Sequence, residues 1–347
     1  MVDFAPAIFG IKGLALSEEE SAFFHAVRPW GIILFARNIE SLSQLRSLTD
    51  DLRDKSGNPN LPILIDQEGG RVARLKPPLV SAYPPMGLYG EMYGHDPASA
   101  LEAARLGAAL LAQDLSALGI TINCAPCLDL RLPETSEVIG DRAFSDDVET
   151  VTALGRAVMD GFEMGGVLPV VKHLPGHGRA KTDSHHELPR IDTDKAVLAD
   201  TDFEVFHQLN DALIGMTGHL LYTDIDEDIV STCSKTVIGN IIRRQIGFDG
   251  LLMSDDISMS ALEGDMELRI IGALKAGCDL VLHCNGEMAE MQAVAAALPD
   301  RPSIDAMPRI ERVNQALAGL SCDVPKGARK VWGELVADIF PESQNAL

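Results

Sequence analysis

The chain has 347 residues, 46% of them hydrophobic, and a formal net charge of −22 at pH 7. That hydrophobic fraction supplies a sizeable core and excludes a disordered chain, and the length fits one large α/β barrel. The acidic balance argues against nucleic acid or an anionic membrane surface as a partner, because both demand a basic footprint.

The chain opens "MVDFAPAIFGIKGLALSEEE", with no basic segment followed by an apolar one, so no signal peptide is expected. No apolar run approaches the ~18 residues of a membrane span. The six cysteines are sparse and sit mostly in apolar contexts, which fits a reduced, cytoplasmic protein.

Apolar runs then alternate with helix-like stretches. "WGIILFARN" (30–38) and "LPILIDQEGG" (61–70) read as buried strands, followed by an Ala/Leu-rich amphipathic helix over 97–118. "ITINCAPCLD" (120–129) is the next strand, 147–165 the next helix, and "VLPVVKHLPG" (167–176) the strand after that. "LIGMTGHL" (213–220), "GLLMSDD" (250–256) and "CDLVLHCN" (278–285) complete seven strands, with an eighth expected to be irregular. Strands apolar almost throughout are buried on both faces, which means a parallel sheet, and this alternation means repeated βα units. The expected fold is a single-domain (β/α)8 TIM-type barrel over 1–347, with a helical tail from about 325; a doubly wound open sheet is the alternative. Nearly every run ends in polar residues: "FARN", "DQEGGR", "APCLD", "KHLPGHG", "TGH", "SDD", "HCN". In a barrel these ends gather at one mouth, where active sites are built.

Two motifs look like metal or redox sites and are read otherwise. "CAPC" (124–127) lies inside an apolar strand and has no second pair, so buried inert thiols are expected. His173 and His177 have the i, i+4 spacing of helical zinc ligands, but Leu174–Pro175–Gly176 between them breaks a helix. A loop could still gather His173, His177, Asp183 and His185 around a metal, so a metal-dependent hydrolase stays open as a second reading.

Asp255 and Asp256 end the run "GFDGLLMSDD". On an extended strand 251, 253 and 255 share a face, so at most one of the two aspartates faces the mouth. The alternation does not say which. Asp256 is read as a cap for the following "ISMSALEG", and Asp255 as the carboxylate facing the mouth. In "KTDSHH", Asp183 and His185 stand two apart, close enough in a loop for a carboxylate to orient an imidazole suited to acid–base work. Pro175, Gly176 and Gly178 would let that loop fold over a strand-end pocket.

"KHLPGHGRAKTDSH" resembles the long signature of the glycoside hydrolase family 3 β-N-acetylglucosaminidases of the bacterial cell-wall recycling type. "LIDQEGGRVARL", "NCAPCLDL", "IGDRAFS", "MTGHLLYTDID" and "GFDGLLMSDDISMSAL" resemble the same family in the same order. The resemblance implies a retaining exo-glycosidase without cofactor or metal. In it Asp255 is the nucleophile and His185, paired with Asp183, the general acid–base. Asp66, Arg74, Arg142, Lys172 and His173 match the positions that hold the N-acetylglucosamine ring. The implied substrate is GlcNAc-1,6-anhydroMurNAc, with or without peptide, handled by a monomer in the cytoplasm. The chain departs from the family in the two cysteines of "NCAPCLD" and in Gly218, where alanine is usual. A phosphorylase on the same fold is a further alternative, because a His acid–base adds no negative charge near incoming phosphate.

Overall fold

A computed structural model describes residues 4–133, 135–182 and 188–341. Its strands, in chain order, are β1 (Ala5–Gly10), β2 (Pro29–Leu34), β3 (Ile63–Ile65), β4 (Ile122–Asn123), β5 (Leu168–Pro169), β6 (Val171–Leu174), β7 (Arg190–Ile191), β8 (Ile214–Thr217), β9 (Leu221–Tyr222), β10 (Leu251–Asp256) and β11 (Leu280–His283). Nine of them form one sheet in the order β5-β4-β3-β2-β1-β11-β10-β8-β6, every pair parallel. Its two end strands, β5 and β6, are consecutive in the chain and separated by Val170 alone. They are one stave, bonded to β4 on one side and to β8 on the other, and Cys127 bridges to Lys172 beside the break. The sheet therefore closes into an eight-stave barrel, as the alternation of apolar runs and helices predicts.

The stave outside the seven expected strands is β1, "APAIFG", buried along its whole length between β2 and β11. It ends at Gly10, without the polar end that marked the others, and its pairing with β2 shifts register between Ala5 and Ile8. The regular strands are also shorter than the apolar runs. In 61–70 only Ile63–Ile65 is ladder, and Asp66 onward is mouth loop.

Helices fill the crossovers: α1 (Glu18–Val27), α2 (Leu42–Ser56), α3 (Met86–Tyr93), α4 (Pro97–Ser116), α5 (Val148–Met164), α6 (Lys195–Asp200), α7 (Asp202–Gln208), α8 (Met266–Ala276), α9 (Met288–Ala297), α10 (Met307–Ala318) and α11 (Ala328–Val336), with a π-helical segment at Val237–Gln245. Their ends follow local chemistry. Ser17 and Glu20 form a capping box on α1, and Gly57 ends α2 at φ 71°, a left-handed turn that costs glycine nothing. In α5 the buried Val151, Leu154, Val158 and Phe162 recur at helical spacing. A Cβ on Gly161 would stand 2.3 Å from the Arg105 carbonyl, so glycine is what lets α5 lie close on α4.

Two apolar layers result. Ile8, Ile33, Leu64, Ile122, Leu251 and Met253 pack inside the barrel, where Ile310 and Val313 of α10 join them. Ile32, Ile63, Leu252 and Val281 face outward to the helices. In the tail, α11 buries Trp332 completely, with its indole N–H on Tyr89 of α3, an anchor that contributes about 2–3 kcal/mol. No described helix is long and apolar enough to cross a membrane.

Candidate active site

Loops following β3, β4, β6, β8 and β10 converge at the C-terminal mouth. The loop after β3 is held by amide exchange. The Gln67 N–H donates to Asn123 Oδ1 at 2.9 Å, and Asn123 Nδ2 donates to the Gln67 carbonyl at 2.8 Å. Gln67 Oε1 in turn accepts the Arg74 and Leu75 N–H groups at 2.7 and 3.0 Å. Asp66 and Glu68, two residues apart, are thereby turned toward the stave that carries Lys172.

Lys172 Nζ lies 3.0 Å from Asp66 Oδ1 and 2.7 Å from Glu68 Oε1. Arg74 closes on the other Asp66 oxygen at 3.1 Å, and Arg142 grips Glu68 with two bonds of 2.9 and 2.8 Å. Arg142 Nη2 also stands 3.5 Å from His173 Nε2, and His173 Nδ1 is 2.7 Å from Asp129 Oδ2. From Arg74 through Asp66, Lys172 and Glu68 to Arg142 cation and carboxylate alternate, and His173 links Arg142 to Asp129. Burial alone would raise both loop carboxyls. Lys172 and Arg74 hold Asp66 far below the carboxylate range, and Arg142 and Lys172 bring Glu68 down to about 2. Burial would likewise lower Lys172, but Glu68 and Asp66 keep it above its ordinary value. All five residues expected to hold a sugar ring are thus in one bonded network.

Asp129 at the end of "NCAPCLD" organises the next layer. Besides the His173 ring it accepts the His173 and His177 backbone N–H groups at 3.3 and 2.6 Å and the Cys127 thiol at 3.1 Å. Cys124 and Cys127 are free and fully buried, and burial pushes both thiols well up, away from the reactive thiolate form. Cys127, Asp129 and His173 do bring three possible ligand atoms within 4.8 Å of one another. In this arrangement the Asp129 oxygens are satisfied by the imidazole, the thiol and two amides.

Asp255 lies at the end of β10, on the face of the inward-pointing Leu251 and Met253. Its Oδ1 accepts the Asp256 N–H at 2.8 Å, and its other oxygen has no partner among the described residues. Burial would raise its carboxyl. His219 and His173 beside it, the Asp256 N–H and Lys172 offset that and hold it below the usual range. Asp256 is spent on structure: it accepts the Ser258 N–H at 3.1 Å and hydroxyl at 2.7 Å and the Cys284 N–H at 3.3 Å. The segment it pins is a run of turns over 257–262, so the expected helix cap is a turn clamp instead.

His219 ends the "TGH" run, fully buried, with Nε2 donating to the Asp256 carbonyl at 3.0 Å and Nδ1 accepting from Thr232 Oγ1 at 2.8 Å. The carbonyl can only accept, which assigns the proton to Nε2. The sequence alone singles out none of Glu68, Asp129 and Thr232, and it shows His219 only as the end of the "TGH" run. The signal for the two carboxylates was present, since each ends an apolar run. His283 belongs to the packing: its ring stands edge-on to Phe9 at 6.1 Å.

The start of the histidine-rich loop is pinned. Tyr222 donates to the Gly176 carbonyl, Thr135 to that of Gly178, and Arg179 pairs with buried Asp202 at 2.6 Å. Asp183 and His185, expected to form the acid–base pair, lie outside the described residues.

Residues 11–316 match the family model described as the glycosyl hydrolase family 3 N-terminal domain. The chain belongs to glycosyl hydrolase family 3. It is 40% identical over 336 residues to a β-hexosaminidase of Chromobacterium violaceum, covering 96% of this chain and 90% of that one. A β-hexosaminidase of Bordetella avium is 35% identical over 340 residues, 96% and 92% of the two chains. Among solved structures, NagZ from Neisseria gonorrhoeae in complex with N-trifluoroacetyl-D-glucosamine superposes with a TM-score of 0.86 at 28% identity, over 100% of this chain and 99% of that one. Within family 3 the chain stands with the β-N-acetylglucosaminidases. It is a glycoside hydrolase, and its substrate is a carbohydrate.

Proposed function

We propose that this family 3 enzyme is a retaining exo-β-N-acetylglucosaminidase that removes non-reducing terminal β-linked GlcNAc from peptidoglycan-derived fragments, GlcNAc-1,6-anhydroMurNAc with or without peptide. The reading takes 1–347 as one catalytic domain acting as a monomer in the cytoplasm.

The observation that carries it is the uncommitted oxygen of Asp255. Among the described residues, Asp66, Glu68 and Asp129 are each bonded through both oxygens, while Asp255 keeps one free at the mouth and is held ionised. An ionised carboxylate with one oxygen uncommitted at the mouth is what a nucleophile requires. Asp255 attacks the anomeric carbon while His185, oriented by Asp183, gives its proton to the departing glycosidic oxygen. His185, now neutral, takes a proton from water as that water displaces Asp255, and the two inversions restore the β configuration. Asp66, Arg74, Arg142, Lys172 and His173 hold the ring by exchanging bonds within their network for bonds to its hydroxyls and acetamide.

The test is nitrophenol release from p-nitrophenyl β-N-acetylglucosaminide in phosphate-free buffer, with and without EDTA, with the first-formed sugar anomer read by NMR. Release of the β anomer that EDTA leaves unchanged is expected, as is GlcNAc from the anhydro-disaccharide. Loss of activity in EDTA would replace this mechanism with the metal-dependent one. Product formed only with phosphate, as GlcNAc-1-phosphate, would make the enzyme a phosphorylase.

A further inference from the structure

We propose that the end of the barrel opposite the catalytic mouth holds a second ligand site, for a small hydroxylated organic anion bound between Arg28 and Trp30. A cavity of about 540 Å³ lies at the N-terminal ends of the staves, bounded by the start of β2, the end of α2, the loop before β3 and the end of α10. That volume suits a molecule the size of a phosphorylated or carboxylated monosaccharide. None of the mouth residues lines it.

Three observations give its chemistry. First, among the described residues the lining contains Arg28 and Arg53 and no carboxylate, in a chain with 51 acidic against 29 basic residues. Second, both cations want an anion. Arg28 is exposed, and among the described residues its guanidinium has no ion-pair or hydrogen-bond partner. Arg53 spends Nη2 on the Gly119 carbonyl at 2.6 Å, and burial, together with Arg46, holds its pKa below the ordinary value. Third, Trp30 lines the cavity and is 3% exposed, so its ring supplies an apolar wall against which a sugar-like carbon skeleton packs. The two guanidiniums supply donors alone, so the ligand must supply acceptors and negative charge. The exposed amide of Asn314 and that of Asn60, which also line the cavity, suit its hydroxyls.

Arg28 stands at the cap of α1 with φ 53°, in the left-handed region, and its backbone N–H is bonded to the Phe24 carbonyl. Asparagine tolerates that conformation and removes the guanidinium, so Arg28→Asn tests the cation without unfolding the cap.

The chain has two tryptophans, and Trp332 is fully buried against Tyr89 at α3, away from this cavity. Intrinsic fluorescence therefore reports Trp30 when Trp30→Phe abolishes the response. The intact protein is titrated with glucose 6-phosphate and, separately, with citrate, with glucose and inorganic phosphate alone as controls, and binding is verified by calorimetry. Saturable binding of one of the two organic anions at ~1 mM or tighter is expected, and which of them binds distinguishes a phosphate from a carboxylate ligand. Arg28→Asn should weaken it roughly ten-fold or more while hydrolysis of the nitrophenyl glycoside is retained. Absence of saturable binding by both anions overturns the proposal. So does binding undiminished in Arg28→Asn, or binding that competes with substrate at the mouth.

Discussion

Replacing Glu68 by glutamine removes one negative charge from the centre of the mouth network and leaves its shape almost unchanged. Glu68 is 2% exposed and is the shared acceptor of Lys172 and Arg142, whose side chains are 3% and 12% exposed. Lys172 keeps Asp66, but Arg142 loses the carboxylate that grips it through two bonds, and the new amide keeps one acceptor oxygen while its NH2 must face a cation. Its folded-state pKa of about 2 lies below the ordinary 4.5, so ionised Glu68 favours the folded state. At ~1.4 kcal/mol per tenfold shift, that displacement corresponds to about 3 kcal/mol, in the range of about 3–5 kcal/mol for removing one partner of a buried ion pair. The sign follows from the depressed value. The contribution is fully present above pH 4.5 and is lost as the pH falls toward about 2. Urea unfolding at pH 7 should therefore show Glu68→Gln less stable by about 3 kcal/mol, with the gap to the parent narrowing as the pH drops below 4.5. A variant within about 1 kcal/mol of the parent at pH 7, or a gap independent of pH, would refute the reasoning.

Asp255→Asn should fold normally and lose activity by about 10³-fold or more, because the amide cannot form the glycosyl-enzyme; near-normal turnover would remove Asp255 from the mechanism. His219→Ala frees the Asp256 carbonyl and the turn behind Asp255, so kcat should fall roughly 10–100-fold with KM nearly unchanged in steady-state assays. His177 is buried, its Nδ1 has no partner among the described residues, and burial lowers its pKa from 6.5 to about 4, so the unfolded chain binds its proton first. Stability is therefore lost as pH falls from 6.5 toward 4, and His177→Leu should flatten that part of the stability profile in thermal melts.

The barrel was legible because its signal is local: apolar runs of strand length, each ended by polar residues, between amphipathic helices. The same rule put Asp66, Lys172, His173 and Asp255 at one mouth. It missed β1, whose end carries no charge, and the eighth stave therefore looked irregular. It also left the roles of Glu68 and Asp129 unread, because their partners lie 74 and 44 residues away and pair only when separate staves come together. Asp256 was understood as structural, but turn chemistry holds it where a helix cap was expected. The cavity at the far end is built from segments around residues 4, 28–30, 53–62, 121 and 314–318 and has no local pattern to betray it.

The stave interrupted at Val170 is bonded to β4 on one side and β8 on the other, and it carries Lys172 and His173. Its neighbours in the mouth come from β3, β4, β8 and β10, so no contiguous half of the chain contains a working constellation. A chain with this stave unpaired on both sides keeps most of its helices and much of its buried surface, yet Lys172 has lost its counter-charges and Asp255 its surroundings. Circular dichroism would count such a molecule as largely native; turnover would count it as absent. The sugar-cleaving reaction is thus a stricter gauge of complete closure than any spectroscopic measure of secondary structure.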